Sequence, residues 1–355
     1  MSRKLLAIGA TITLLSTTAL ADVPRVATDI APVHSLVARV MDGLGAPDLV
    51  ISQGASPHEY SLRPSEAGAL QEAGLVFWVG EDLTPWMKDA IETLAGNAEV
   101  IGLLDSDGVT RLPFREGALF ESHDHGHGHE DHDEHDHDEN HGHEHDDHAH
   151  EADHGDEHDG HAHDEHGDEH DDHDDHVGGH DGHHHAEHDP HVWLSPQNAA
   201  VWLNAIAAAL SAADPENAGT YYANAAAGRQ ELAALSDEIE ATLDPVRGGK
   251  FVVFHDAYQY FESAFDFPAS GAISLGDASD PSPARIAEIQ GRVADEGIAC
   301  VLSEPQFNPN LVATVMGGTQ AKSAILDPLG TGIEPGPGLY PNLLRNLADT
   351  LADCL

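Results

Sequence analysis

Outside one histidine-dense stretch the chain holds four histidines, and three of them sit where an imidazole can serve as a metal ligand. His58 follows Pro57 in a run of small, turn-forming residues, His191 follows Asp189-Pro190, and His255 ends the apolar run 251–254. Neutral imidazoles suit zinc, at roughly 2.0–2.1 Å per Zn–N bond, with a carboxylate or water in the fourth position. Copper and nickel take the same donors, and affinity alone favours copper. Asp327, directly after Ala324-Ile325-Leu326, is the candidate carboxylate.

Each of these residues, taken singly, has a plainer reading. A histidine after proline is more often a loop hydrogen-bonder, and Asp327-Pro328 is a common turn start. Glu304 either orients a histidine from behind or caps a turn, and the turn is slightly preferred. Glu59 is excluded because consecutive side chains diverge. The fourth histidine, His34, lies inside a predicted helix without a comparable setting and is left out of the ligand set.

The stretch from Glu121 to Asp189 carries 25 of the 29 histidines and 28 of the 63 acidic residues, with no lysine or arginine. It has almost no apolar residues, so ordering it costs more conformational entropy than burial returns, and disorder is expected over 121–187. A charge run is usually just solvated. Histidine repeated as His-x-His and His-x-x-His is nevertheless a compositional metal signal. The accessory ligands in its first half are His123, His125, His127, His129, His132, His135, His137, His141, His143, His145, His148 and His150. Neighbouring carboxylates raise the imidazole pKa values above about 6.5, so metal competes with protons near neutrality. Such a tract should bind several ions weakly and without selectivity.

The elements that must position the three histidines read as two rounds of strand–helix alternation. In the first, strands are predicted at 25–28, 48–51, 75–80 and 99–101. Helices are predicted over Pro32–Met41, from a Ser65 N-cap to about Ala73, and over Pro85–Leu94. The pattern predicts a parallel α/β lobe, whose ligands gather beyond the carboxyl ends of strands. After the tract, Ser195-Pro196 opens a helix to Leu210. A longer helix then runs from Asp214-Pro215 to about Leu243, with Tyr222, Ala226, Leu232, Leu235 and Ile239 at roughly helical spacing. At 1.5 Å per residue it spans roughly 42 Å, a strut between lobes rather than part of either. Alternation then resumes, with strands 251–254, 272–275, 300–303 and 324–326 and helices 257–265, 283–296, 310–316 and 340–355. His255, Glu304 and Asp327 all fall at one end of this second lobe. The fold class is therefore α/β: two parallel-sheet α/β lobes joined by one long linking helix, with metal in the cleft between them. The segments are 1–21, a signal peptide; 22–213, the first lobe including the tract; 214–244, the linking helix; and 245–355, the second lobe.

Arg3 and Lys4, the apolar run 5–15 and Ala19-Leu20-Ala21 read as a secretory signal cleaved after Ala21. No run is long enough to span a membrane, and no cysteine near the cleavage site can carry a lipid. Export to a Gram-negative periplasm is expected. In that oxidising compartment the two cysteines, Cys300 and Cys354, should pair. The net charge is −48, and the part outside the tract still carries −20. Nucleic acid and anionic membrane both need positive surface, so both are excluded as partners, while cations fit.

The motifs GASPHEYSLRPSE, DPHVWLSP, FVVFHDAYQYF, EPQFNP and LDPLGT, in this order, resemble those of the ZnuA family of periplasmic zinc-binding proteins, across essentially the whole mature chain. The resemblance implies two α/β lobes on one rigid helix, with zinc in the cleft on His58, His191 and His255. Asp327 matches the position where manganese and some zinc relatives supply a carboxylate. Manganese relatives place Glu where His255 stands, and a His-rich insertion marks the zinc branch. The cysteine pair resembles one that is disulfide-bonded in relatives. Some zinc members use a Glu directly before the first histidine, where this chain has Pro57, which leaves Asp327 or water as fourth ligand.

The reading is thus a non-enzymatic, monomeric carrier that captures Zn2+ and hands it to an inner-membrane ABC permease with its ATPase, with a periplasmic zinc chaperone as a further partner. The tract acts as a collector. The rivals are a carrier for manganese, copper or nickel; a zinc hydrolase, which needs an open coordination position and a general base but shows no HExxH arrangement; and a zinc buffer or adhesin without a permease.

Overall fold

The computed structural model describes residues 23–115, 188–274 and 281–355. The signal segment with its cleavage site, and the tract expected to be disordered over 121–187, lie outside the described residues. None of the described helices is long and apolar enough to cross a membrane.

Two all-parallel sheets form the frame. In the first, β1 (Val26–Thr28), β2 (Asp48–Leu49), β3 (Leu75–Trp78) and β4 (Glu99–Gly102) lie in the order β2-β1-β3-β4. Parallel neighbours require crossovers, supplied here by α1 (Ala31–Val40), α2 (Pro64–Glu72) and α3 (Pro85–Leu94). The second sheet repeats the arrangement. Strands β5 (Phe251–His255), β6 (Ala272–Ser274), β7 (Cys300–Ser303) and β8 (Lys322–Ile325) lie in the order β6-β5-β7-β8. Both central strands, β1 and β5, are buried along their whole length, as unbroken apolar runs between two helical layers must be. In each sheet the order reverses beside the central strand, which opens a crevice at the carboxyl ends.

The helix expected to start from a Ser65 cap starts two residues earlier, with Arg63 at the cap and Pro64 first in the helix. Proline suits that position because its missing N–H would be unpaired anyway. Glu66, at the third helical position, reaches back to accept from the Arg63 N–H at 2.7 Å.

The long helix corrects a larger expectation. After α4 (Pro196–Ala213), which Ser195 caps by accepting from the Asn198 N–H, α5 runs over Ala218–Leu243. It buries Tyr221, Ala225, Gly228, Leu232, Leu235, Ile239 and Leu243. Tyr222 and Ala226 are one residue off this 4-3-4-3 stripe, and Tyr222 is 52% exposed. The helix is no free-standing strut: it packs on α1 and α4 and also on the final helix, α9 (Leu339–Cys354). Gly228 allows the close approach to α4, since a Cβ there would lie 2.9 Å from the Leu203 side chain. One continuous apolar core therefore runs through both lobes.

Cys300 on β7 is disulfide-bonded to Cys354 at the end of α9, tying the last helix to the second sheet. His34 lies on α1, buried, with Nε2 3.1 Å from the Pro47 carbonyl, and plays a packing role. Burial lowers its pKa.

Candidate metal centre

His58, His191 and His255 come together. Each offers a ligand atom, and these atoms all lie within 4.8 Å of one another. The three reach this point from different elements. His255 is the last residue of β5. His191 directly precedes the short helical turn Val192–Leu194 that leads into α4. His58 sits in the long loop after β2, where Tyr60 donates to Glu66 (2.7 Å) and Trp86 donates from its indole to the Pro57 carbonyl (2.8 Å).

The two buried imidazoles are oriented from behind by carboxylates. His191 Nδ1 lies 2.7 Å from Asp189 Oδ1, and His255 Nδ1 lies 2.7 Å from Glu304 Oε1. An ionised carboxylate only accepts, so Nδ1 carries the hydrogen and Nε2 turns its lone pair into the cleft. The two Nε2 atoms stand 3.4 Å apart. Tetrahedral ligands at about 2.05 Å from a zinc ion lie roughly 3.3 Å from each other. That pair of nitrogens therefore already has the separation of one edge of a zinc tetrahedron.

Burial pushes the Asp189 carboxyl up to about 7, against the pull of its bond from the His191 amide and the charge of Arg115. Burial likewise raises Glu304, opposed by His255. A dication at the Nε2 atoms works against both shifts, because its field favours the ionised carboxylates. Phe307 packs edge-on against His255 at 5.4 Å between centroids, and Trp193 lies 5.3 Å from His191. These rings, with Pro57, Pro328 and Leu329, supply the apolar part of the pocket wall, and Ser56, Gln306 and Glu304 the polar part.

Asp327 stands outside the converging group. Its Oδ1 accepts from the N–H groups of Leu329 (3.0 Å) and Gly330 (3.1 Å), and its Oδ2 from Thr331 (2.5 Å). The aspartate of an Asp-Pro turn has these amides within reach of its own backbone, so it braces the loop 327–331 instead of facing the imidazoles. That loop meets the first lobe. Gln53 donates to the Gly330 and Ile333 carbonyls at 3.2 and 2.8 Å, and Trp193 donates to the Pro328 carbonyl at 2.8 Å. Gly54, with φ of +81°, leaves only 3.0 Å from a Cβ position to the Thr331 methyl, so the contact excludes a side chain there.

Glu304 stands behind His255 instead of taking the turn role its sequence suggests, and Asp189, outside the expected site residues, stands behind His191. The second had a local signal, since an acid two residues before a histidine can fold back onto it. The first had none, because β5 and β7 are neighbours only in the sheet. Replacing either carboxylate, by Asp189→Asn or Glu304→Gln, is expected to weaken metal binding by 10- to 100-fold, the usual effect of removing a partner that orients a ligand. Titration against a competing chelator measures it.

The fold and the site together define a two-lobed α/β metal-binding protein with its imidazoles drawn from both lobes. A family model described as zinc-uptake complex component A, periplasmic (ZnuA), matches residues 26–354. The chain belongs to the ZnuA family. It is 46% identical over 330 residues to the high-affinity zinc uptake system protein ZnuA of Brucella abortus, covering 93% of this chain and 91% of that one. The ZnuA of Paracoccus denitrificans is also 46% identical, over 336 residues, covering 94% and 93% of the two chains. Among solved structures, a crystal structure of ZnuA superimposes with a TM-score of 0.67 at 19% identity, covering 94% of this chain and 99% of that one. The periplasmic zinc-binding protein TroA of Treponema pallidum does so with 0.66 at 17%, covering 93% and 98%. These likenesses support the two-lobed fold. The family is one of uptake components, which sets the hydrolase reading aside.

Proposed function

We propose that this chain is the periplasmic component that captures Zn2+ and delivers it to an ABC permease. Its mature part would comprise a first lobe over 22–213, a linking helix over 214–244 and a second lobe over 245–355. The observation that carries the reading is the convergence of His58, His191 and His255, with two Nε2 atoms spaced as zinc ligands are. Three imidazole donors favour zinc over manganese, which prefers an all-oxygen set of carboxylate, carbonyl and water. Because Asp327 is committed to its own turn, water takes the fourth position. Competition titration of the full chain tests the assignment. One zinc should resist a chelator that strips the others, and manganese should fail to displace it at a hundredfold excess. Equal retention of manganese would reject zinc as the cargo.

The collector role of the tract rests on connectivity. Asp189 N–H donates to the Leu112 carbonyl (2.9 Å), and Pro113 and His188 form an antiparallel bridge, so both flanks meet beside His191. In the sequence, His123 follows Arg115 by eight residues. An ion released by the nearest tract histidines starts at a high effective concentration near the cleft.

A further inference from the structure

We propose that Arg115 is a positioning residue for the metal centre, a latch that holds first-lobe chain against the second lobe directly behind His255 and slows the departure of a bound ion. The proposal rests on the zinc-carrier reading above.

Its guanidinium grips two carboxylates at once. Nε donates to Asp256 Oδ1 and Oδ2 at 2.9 and 3.0 Å, and Nη2 also reaches Oδ1. On the other side, Nη1 and Nη2 donate to Glu262 Oε2 and Oε1 at 2.8 and 3.0 Å. The three side chains are 17%, 7% and 6% exposed, so the cluster is shielded from water. The planar fork matches two carboxylates in a way an ammonium cannot.

The position matters more than the pairing. Arg115 lies on the segment that continues from β4 of the first lobe. Asp256 is the residue after His255, and Glu262 lies on α6 (Gln259–Phe265) of the second. A hydroxyl between them adds to the join: Tyr260 Oη accepts from the Leu112 N–H (2.9 Å) and donates to the Asp189 carbonyl (2.8 Å). Asp189 in turn holds His191. One cluster thus links the chain on either side of the tract to the residue beside a second-lobe ligand. An ion held by His191 and His58 on one side and His255 on the other leaves by separating them, and that separation strains the Arg115 cluster. Pulling apart a buried, fully bonded ionic group is costly, because each charge is left without its partner.

Three variants of the full chain test the latch by stopped-flow release of zinc to a chelator, read on the slow phase of the tight site. Arg115→Met alone leaves two buried carboxylates without this counter-ion, so the informative variant adds Asp256→Asn and Glu262→Gln, which removes their charges at nearly the same shape. That triple variant is expected to melt within a few degrees of the parent without metal. Its zinc dissociation should be about tenfold faster and its association within twofold of the parent. Arg115→Lys, which keeps the charge but not the fork, should lie between. A triple variant with the parent's dissociation rate overturns the latch and leaves Arg115 a counter-ion only. Should the triple variant not fold, hydrogen exchange on the parent decides: zinc should slow exchange at the amides of 112–115 and 258–262, and unchanged rates there would refute the proposal. A parent that holds no zinc tightly would instead defeat the carrier reading, so the two failures are distinct.

Discussion

Substituting His255 by alanine is expected to abolish the tight zinc site. In zinc-finger peptides four protein donors together are worth roughly 10–16 kcal/mol near neutral pH, so by that scale one donor carries about 2.5–4 kcal/mol, or roughly two to three decades in Kd. His255 should fall at the upper end for a local reason. It is 5% exposed, and its Nδ1 bond to Glu304 fixes the ring with Nε2 3.4 Å from that of His191. Alanine would also take the imidazole from the Glu304 carboxylate, which is 4% exposed and would keep only the longer bond from the residue 255 N–H (3.4 Å) on that side. His58→Ala should do less damage, because that residue is only half-buried and its loop can let in water. Calorimetry of the two variants tests this order. A His255→Ala protein that kept the parent's tight phase would remove His255 from the ligand set.

Deleting residues 121–187 is expected to separate the two kinds of zinc binding. The shortened chain should keep one tight ion with an unchanged dissociation rate, since His191 and the two carboxylates that orient the imidazoles lie outside the deletion. Stoichiometry should drop from several ions to one, because 24 histidines leave with the tract. Loading from dilute zinc should slow as the local reservoir is lost. Rejoining the ends is compatible with the fold, because Pro113 and His188 are already bridged. If calorimetry counted as many ions after the deletion as before, the tract would have no collecting role.

Much of this molecule was legible without coordinates. Alternating short apolar runs and amphipathic stretches predicted both parallel sheets, since a parallel strand needs a covering helix on its way to the next. Leu75–Trp78 and Phe251–His255 are cases in point. The boundaries that failed were set by competition. Ser65 lost the cap to Arg63 because Pro64 fits the first helical position. Tyr222 lost the buried stripe of α5 to Tyr221 because the stripe is chosen by the helices it packs on, not by local periodicity alone.

The chain by itself determined which side chains could ligate a metal and that they would stand at strand ends or in loops. Those are consequences of residue type and short-range pattern. Only the tertiary structure decided which carboxylates contact the imidazoles. Asp327 was drawn into its own turn by amides two to four residues away, while Glu304 reached His255 across a strand pair 49 residues apart in the chain. Arg115 likewise found its partners at separations of 141 and 147 residues. Such pairings depend on sheet order and lobe contact, which come from the sum of many weak packing terms and leave no mark in the neighbouring sequence.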